Sequence, residues 1–215
     1  SNVITLNNTG VTDVAGNTGS GTTNSGNYTI DTVLPTATIV VADNALSVGE
    51  TSLVTITFSE AVSGFSNADL TIANGTLTSV SSGDGGITWT ATFTPTNAIS
   101  DTSNVITLDN SGVQNGSGNA GSGTTDSNNY AIDTVRPTAT IVVADAALAV
   151  GQTSVVTITF SEAVTGFTTA DLTVSNGTLS NLSTSDNITY TATLTPTASV
   201  TDSSNLITLD NTGVI

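Results

Sequence analysis

The chain has 215 residues with 17 acidic side chains, one basic side chain and no histidine or cysteine, and its formal net charge is −16 at pH 7. This charge excludes nucleic acid as a partner, because a nucleic-acid-binding surface must be basic, and it disfavours anionic membranes. An enzyme is not expected, since a serine nucleophile would have no histidine base and no thiol is present.

The composition predicts strands and not helices. Aromatic residues make up only 4% of the chain, and the abundant β-branched threonine and valine suit the pleated surface of a sheet. No apolar run approaches membrane-spanning length, so membrane insertion is not expected. Without cysteine the fold cannot depend on disulfides, and packing or a bound metal must stabilise it.

The chain is internally repeated. The segment Asp31–Asp43, a short connector containing Pro35 followed by a strand-like run, returns almost unchanged at Asp133–Asp145. A repeat of this length indicates tandem modules. We therefore divide the chain into three parts: the C-terminal part of a preceding module (residues 1–30, which match 103–132), a complete module (31–132), and a second module that lacks its last strand (133–215).

Residues 1–30 begin and end with the strand-like runs Asn2–Leu6 and Asn27–Ile30, which flank a glycine-rich loop. A low-complexity linker is one interpretation of that loop. A cation site is the other, since Asp13 and neighbouring asparagines offer oxygen ligands. Asn115 replaces Asp13 in the second copy of the loop, which weakens a metal role there.

The complete module reads as short strands in which apolar and polar residues alternate. The longest of them ends at Pro95 and is predicted to turn Ile87, Trp89 and Phe93 toward one face. Trp89 is the only tryptophan, and we predict that it anchors the core and is not a sugar platform. Tyr190 takes its place in the second module.

Turn signals separate these strands. The dipeptide Asn74-Gly75 predicts a hairpin turn, because both residues tolerate positive φ. About seven short strands per module, joined by frequent turns, are typical of an immunoglobulin-like β-sandwich. The predicted fold class is therefore all-β, with tandem immunoglobulin-like sandwich modules in an extended string. A closed barrel is the less favoured alternative.

Several motifs of the modules carry a family resemblance, namely Asp133–Thr138, Thr159–Phe167, Ala170–Leu172, Asn176–Leu179 and Tyr190–Pro196. Together they resemble the bacterial Ig-like repeats of large secreted adhesins and biofilm-associated surface proteins. The resemblance implies a non-catalytic extender at the bacterial cell surface or outside the cell, often stiffened by calcium near module junctions. Other members of this family form filaments and surface layers, so the resemblance leaves tether and fibre open.

Acidic positions that recur in register with the connector are the candidate calcium ligands. Calcium takes about six to eight oxygen ligands, which the start of one module and a loop of the preceding one would supply. We predict that Asp31 and Glu60 share an ion with the loop of Asp13. The second ion would lie between Asp133, Glu162 and the loop of residues 115–119. The full set of candidate ligands is Asp13, Asp31, Glu60, Asp69, Asp133, Glu162 and Asp171.

The alternative for these acidic residues is an ordinary turn, since aspartate caps turns through its side chain. The two ends of the sequence also have three interpretations. The sequence is a slice of a longer array, whose neighbouring repeats are its partners, or a domain boundary lies near residues 100–104. In the third, residues 1–30 complete the unfinished sandwich of a neighbouring molecule by strand donation.

Three functions follow as hypotheses. The first is a rigid, calcium-stiffened spacer in an extracellular adhesin or biofilm matrix protein. The second is the subunit of a self-assembling filament or surface layer, in which other copies of the chain bind by strand exchange or end-to-end docking. The third is a module that binds glycans or ice through an exposed threonine face, such as Thr88, Thr90 and Thr92.

Overall fold

The computed structural model describes residues 2–215. They form two compact units, the first ending at Asp133 and the second running from Thr134 to Ile215. Within the described range the regular structure consists of β-strands and single-turn 3-10 helices, as the composition predicts. None of these helices is long and apolar enough to cross a membrane.

Residues 2–31 contain a β-hairpin. β1 (Thr5–Asn7) pairs antiparallel with β2 (Thr22–Asn24), and a 3-10 turn at Asn8–Gly10 follows β1. An isolated bridge between Asn2 and Tyr28 extends the pairing. The larger apolar side chains of this hairpin are exposed.

The remainder of the first unit contains short strands and two further 3-10 turns, at Asn67–Asp69 and Asn110–Gly112. Its strands are β3 (Ala37–Val41), β4 (Ala45–Leu46), β5 (Ser52–Phe58), β6 (Val62–Ser63), β7 (Leu70–Ile72), β8 (Gly75–Leu77), β9 (Ser81–Ser82), β10 (Thr88–Pro95), β11 (Ser100–Asn104), β12 (Ile106–Asp109), β13 (Gln114–Asn115), β14 (Thr124–Asp126) and β15 (Tyr130–Asp133).

These strands form the two layers of a sandwich. One layer has the order β3-β5-β10-β8, with β9 beside β10. The other strands form three smaller sheets, β14-β12-β7, β11-β15-β4 and β13-β6. Alternate side chains of both sets meet in one buried cluster, which includes Val54, Ile56 and Phe93 from the first and Ile106 and Leu108 from the second. The predicted all-β sandwich is confirmed, with shorter and more numerous strands than expected.

The last strand, β15, closes the module. It pairs antiparallel with β11 and parallel with β4, so that its backbone is bonded along both edges. Its inward side chains, Tyr130 and Ile132, are 0% and 1% exposed. The Tyr130 ring packs edge-on against Phe93, with ring centroids 5.1 Å apart.

Burial and the nearby Asp101 carboxylate raise the pKa of Tyr130 to about 12. The phenol therefore stays neutral, and its hydroxyl donates to the Ala73 carbonyl over 3.4 Å.

The second unit repeats part of this design. Its elements are β16 (Ala139–Val143), β17 (Ser154–Phe160), β18 (Leu172–Val174), β19 (Gly177–Thr184), β20 (Thr189–Pro196) and β21 (Ile207–Leu209), with 3-10 turns at Thr169–Asp171 and Asn211–Gly213. The order β16-β17-β20-β19 matches β3-β5-β10-β8, and β18-β21 matches β7-β12. Residues 147–148 and 201–205, the counterparts of β4 and β11, are not strands. In the first unit β4 and β11 pair only with the closing strand β15. No counterpart of β15 lies among the described residues of the second unit, so these two segments have no strand with which to pair.

Trp89 is half-buried and packs against the core, with its ring edge-on to Phe65 at a centroid distance of 5.2 Å. Tyr190 occupies the matching place in the second unit and contacts two phenylalanine rings. The predicted core role of Trp89 is confirmed. Ile87, which was predicted to face inward, is exposed, because β10 begins only at Thr88.

The Asn74-Gly75 turn does not form the predicted hairpin. Asn74 has a φ of 54°, as its turn chemistry requires, but β7 pairs with β12 and β8 pairs with β10. The turn therefore carries the chain from one layer of the sandwich to the other. A Cβ atom on Gly75 would collide with the Phe93 ring, so glycine lets the backbone pass close to the core.

Phe93→Ala should destabilise the first unit by about 3–5 kcal/mol, because it opens a cavity beside Tyr130. Urea unfolding followed by Trp89 fluorescence measures this loss, since Trp89 is the only tryptophan. Val40→Ala, at a position 53% exposed on β3, is the control and should change the unfolding free energy by about 0.5 kcal/mol or less. Equal losses in the two variants would contradict the packing described above.

Candidate functional site: the acidic connector

The connector that leads into the complete module is bonded to a loop of that same module. Asn115 Nδ2 donates to Asp31 Oδ2 (3.1 Å) and to the Val33 carbonyl (3.1 Å). Asn119 Nδ2 donates to the Asp31 carbonyl (3.1 Å). Because Asn115 is only 3% exposed, its amide fixes the connector from inside the module.

The orientation of the Asn115 side-chain amide is set by the hydrogen bonds of its oxygen atom. Asn115 Oδ1 accepts the backbone N–H groups of Ser117 (3.1 Å) and Asn119 (2.9 Å), which leaves Nδ2 facing the connector. The Ser117 hydroxyl, the Val33 N–H and the Asn115 amide together lower the pKa of Asp31. Asp31 is therefore an ionised acceptor at neutral pH, surrounded by donors.

These partners differ from those predicted. The repeat pattern predicted that Asp31 lies beside the loop of Asp13 and that the loop of residues 115–119 lies beside Asp133, whereas the structure bonds the 115–119 loop to Asp31. The Asp13 carboxylate instead closes its own loop, where it accepts the Asn17 backbone N–H (2.8 Å) and side-chain amide (2.9 Å). The connector meets the later loop because closure of the sandwich brings the first and last parts of one module together.

Asp69 and Asp171 cap turns. Asp69 Oδ2 accepts the Ser66 N–H (2.8 Å), and Asp171 Oδ2 accepts the Thr168 N–H (2.7 Å). In each case the hydroxyl oxygen of Ser66 or Thr168 accepts a backbone N–H group of the turn, which completes a capping box at a 3-10 helix. These two carboxylates thus have the turn role that the sequence left open.

The remaining candidate ligands are Glu60, Glu162 and Asp133. Glu60 and Glu162 are partly exposed, each just after a long central strand, and Asp133 is exposed at the end of β15. Among residues 2–215 no three acidic side chains form a group able to hold a metal ion. The surroundings of Asp31 do not fit calcium, because fixed N–H groups face its carboxylate where calcium would need oxygen ligands. Calcium binding at the junctions stays a prediction.

A polar network that was not predicted from the sequence fastens the closing strand. Asn74 Nδ2 donates to Asp101 Oδ2 (2.9 Å) and Asn104 Oδ1 (2.8 Å). Asn104 Nδ2 donates in turn to the Tyr130 carbonyl (3.1 Å). The recurrence of these asparagines at matching places in the second module was the signal that could have revealed the network.

The Asp84 carboxylate organises the turn before β10. It accepts the N–H of Thr88 (2.9 Å), the N–H of Ile87 (3.1 Å) and the hydroxyl of Ser82 (2.9 Å). The hydrogen bonds from Thr88 and Ser82 are the main reason that the pKa of Asp84 falls from 3.8 to about 2. The ionised form of Asp84 is thus the one that stabilises the turn.

Asn115→Asp should lower the stability of the first unit by about 1–3 kcal/mol, since it removes a buried donor and places a second carboxylate beside Asp31. Urea unfolding at neutral pH, followed by Trp89 fluorescence, measures the change. The reverse exchange Asp13→Asn in the exposed counterpart loop is the matched control and should leave the Trp89 transition where it is. An unchanged midpoint for Asn115→Asp would show that the amide does not hold the connector.

Asp84→Asn should make the first unit less stable at neutral pH and less sensitive to acid. Because the pKa of Asp84 is lowered on folding, its contribution is complete above 3.8 and is lost as the pH falls toward about 2. The gap in urea midpoint between wild type and variant should therefore stay constant from about pH 7 to about pH 5 and shrink below about pH 4. A gap that persists unchanged at about pH 2 would contradict this assignment.

Comparison with known proteins identifies the modules. Residues 31–132 and 133–215 each match the family model described as bacterial Ig-like domain, whereas a search of curated proteins finds no match.

Two solved structures are similar to the chain. The Escherichia coli adhesin FdeC shares 16% identity over 75% of this chain and 55% of its own, with a TM-score of 0.40. The Yersinia pseudotuberculosis adhesin InvE shares 18% identity over 74% of this chain and 51% of its own, with a TM-score of 0.35. The chain thus spans about half the length of each of these structures. Since the family model covers both modules, the chain belongs to the bacterial Ig-like domain family.

Proposed function

We propose that the chain is a non-catalytic structural segment of an extracellular, adhesin-type bacterial surface protein, in which its modules act as a stiff spacer. The observation that carries the proposal is the bonding of the connector to the module that follows it. A spacer transmits position only if its joints resist bending, so the joint is the part of the molecule on which this function depends.

The connector at residues 31–36 has little conformational freedom. Pro35 is buried and fixes its own φ, while the Asn115 amide holds the backbone at Val33. At the end of the connector the Thr36 N–H donates to the Ser59 hydroxyl (3.0 Å), and the Ser59 N–H donates back to the Thr36 carbonyl (2.9 Å). A segment bonded at three places cannot swing independently of its module.

The second connector has the same final anchor. The Thr138 N–H donates to the Ser161 hydroxyl (3.0 Å), and the Ser161 N–H donates to the Thr138 carbonyl (2.8 Å). Residues 134–138 are all that separates β15 from β16. A short connector with a fixed end limits bending more than a flexible linker of glycine and serine does.

The composition supports a solvated, non-catalytic segment. A net charge of −16 keeps an extended chain soluble and discourages non-specific association. The described residues contain no histidine or cysteine, so nucleophilic and general-base chemistry has few candidates. Membership of the bacterial Ig-like family supports the same interpretation.

Distance measurements between spin labels test the stiffness. Val40 and Val142 occupy equivalent exposed positions in the two modules, so Val40→Cys and Val142→Cys place one label on each in a chain without native cysteine. Double electron–electron resonance should give one narrow distance distribution. A broad distribution would remove the spacer proposal.

A flexible insert provides the matched control. About ten glycine and serine residues placed after Val135 have an end-to-end distance of about 17 Å, and should broaden the distribution clearly. Repeating the measurement in calcium and in chelator tests the calcium stiffening that the sequence predicts. Identical distributions in both would contradict that prediction and leave the spacer proposal unchanged.

The other two hypotheses remain predictions. The filament or surface-layer hypothesis follows from the family resemblance of the motifs. The glycan- or ice-binding hypothesis remains a prediction based on the outward threonines of β10.

A further inference from the structure

The complete module joins its beginning to its end through two parallel strands. β4 lies early in the module and β15 closes it, and their register places Ala45 opposite Ala131. Leu46 and Ile132 form the next pair. The Ala131 N–H donates to the Asn44 carbonyl over 2.9 Å. The early and the late part of the module are therefore bonded to each other directly, and both run in the same direction.

Asn128 extends this contact to β3 with its side chain. Its Oδ1 accepts the Val41 N–H (2.8 Å), and its Nδ2 donates to the Val41 carbonyl (3.1 Å). A residue on a neighbouring strand would make the same two kinds of hydrogen bond. Asn128 thus takes the place of a strand at the outer edge of β3, whose other edge pairs with β5. Residues 41–46 and 128–132, with the bonds between them, are here called the terminal clamp.

The passage from β3 to β4 is fixed as well. The Asp43 N–H donates to the Ser52 hydroxyl (2.8 Å), and the Asp43 carboxylate accepts the Ala45 N–H (3.1 Å). Ser52 is only 2% exposed and begins the central strand β5, so it anchors this turn to the sheet. A pull on β3 is therefore passed on to β4 without slack.

The inner side of the terminal clamp is closed to water. Leu46 and Ile132 are 2% and 1% exposed and belong to the core cluster of the module. A hydrogen bond is stronger beside such an apolar surface than in water. Sliding the two strands past each other would also expose these side chains, which burial of apolar surface opposes.

We propose that the complete module bears tension between its two ends and that the terminal clamp is the part that resists it. In a string of modules, force enters a module at its first residues and leaves it at its last. Because β4 and β15 are parallel, this force pulls them past each other along their axes and loads all the bonds of the clamp together. This inference goes beyond the spacer proposal, since a spacer depends on its joints whereas tension acts on the module itself.

The direction of pulling tests the clamp in single-molecule force spectroscopy. Handles on the two ends of the chain load the clamp along its strands. Handles on Asn44→Cys and Asn129→Cys, attached under reducing conditions to a chain without native cysteine, pull on the same end of both strands and peel them apart one bond at a time. At equal force the peeled unit should unfold at least about tenfold faster, which corresponds to one hydrogen bond.

The length of chain released shows which unit has opened when the ends are pulled. Residues 31–133 extend to about 370 Å when unfolded, and residues 134–215 to about 300 Å. Only events of the first size are compared with those of the cysteine variant.

Two asparagines provide a matched pair of substitutions. Asn67 Nδ2 donates to the Thr78 carbonyl (3.0 Å), and its Oδ1 accepts the Val80 N–H (2.9 Å). These are the same kinds of bond that Asn128 makes, but they lie between β8 and β9, outside the clamp. Asn128→Ala and Asn67→Ala should lower the urea midpoint by similar amounts. Under a pull from the chain ends, only Asn128→Ala should speed the unfolding of the first unit, by about tenfold or more.

Three results would overturn the proposal. They are equal unfolding rates in the two directions of pulling, an unchanged rate under load for Asn128→Ala, and equal effects of Asn128→Ala and Asn67→Ala under load. The comparison of directions needs neither alanine variant, so it decides the proposal even where one of them does not fold. A broad spin-label distribution would remove the spacer and leave the clamp, whereas direction-independent unfolding would remove the clamp and leave the spacer.

Discussion

The pairing of the closing strand along both of its edges is the constraint on which the module depends. β15 bonds to β11 on one side and to β4 on the other, and its inward side chains complete the core. In the second unit, where no such strand is present among the described residues, the counterparts of β4 and β11 are not strands, and Val143 and Leu148 are partly exposed. The outer strands of this fold therefore form through tertiary pairing and not through local propensity.

Much of this architecture could be predicted from the sequence, because apolar and polar residues alternate along each strand and this alternation decides which side chains face the core. Val54, Ile56 and Trp89 lie where the alternation places them. The crossover at Asn74-Gly75 could not be predicted in the same way. The dipeptide determines a local φ but does not choose the partner of the strand that follows, and here both flanking strands pair with distant segments.

The acidic connector could be predicted only as a set of residue types. Asp31 and Asn115 are 84 residues apart in the sequence, and their contact depends on how the sandwich closes. The direction of the Asn115 amide is also invisible in the sequence, because the backbone N–H groups of Ser117 and Asn119 set it. That direction decides whether a carboxylate meets a hydrogen-bond donor or is available to a cation.

A chain with 17 acidic residues and one basic residue cannot neutralise its carboxylates with its own cations. It stabilises several of them with N–H and O–H donors, as at Asp84 and Asp186 in the turns before the longest strands. Such donors favour the ionised form and occupy the oxygen atoms that a metal ion would need. Acidity alone is therefore a poor guide to calcium in this fold, because the groups around each carboxylate determine whether an ion can displace them.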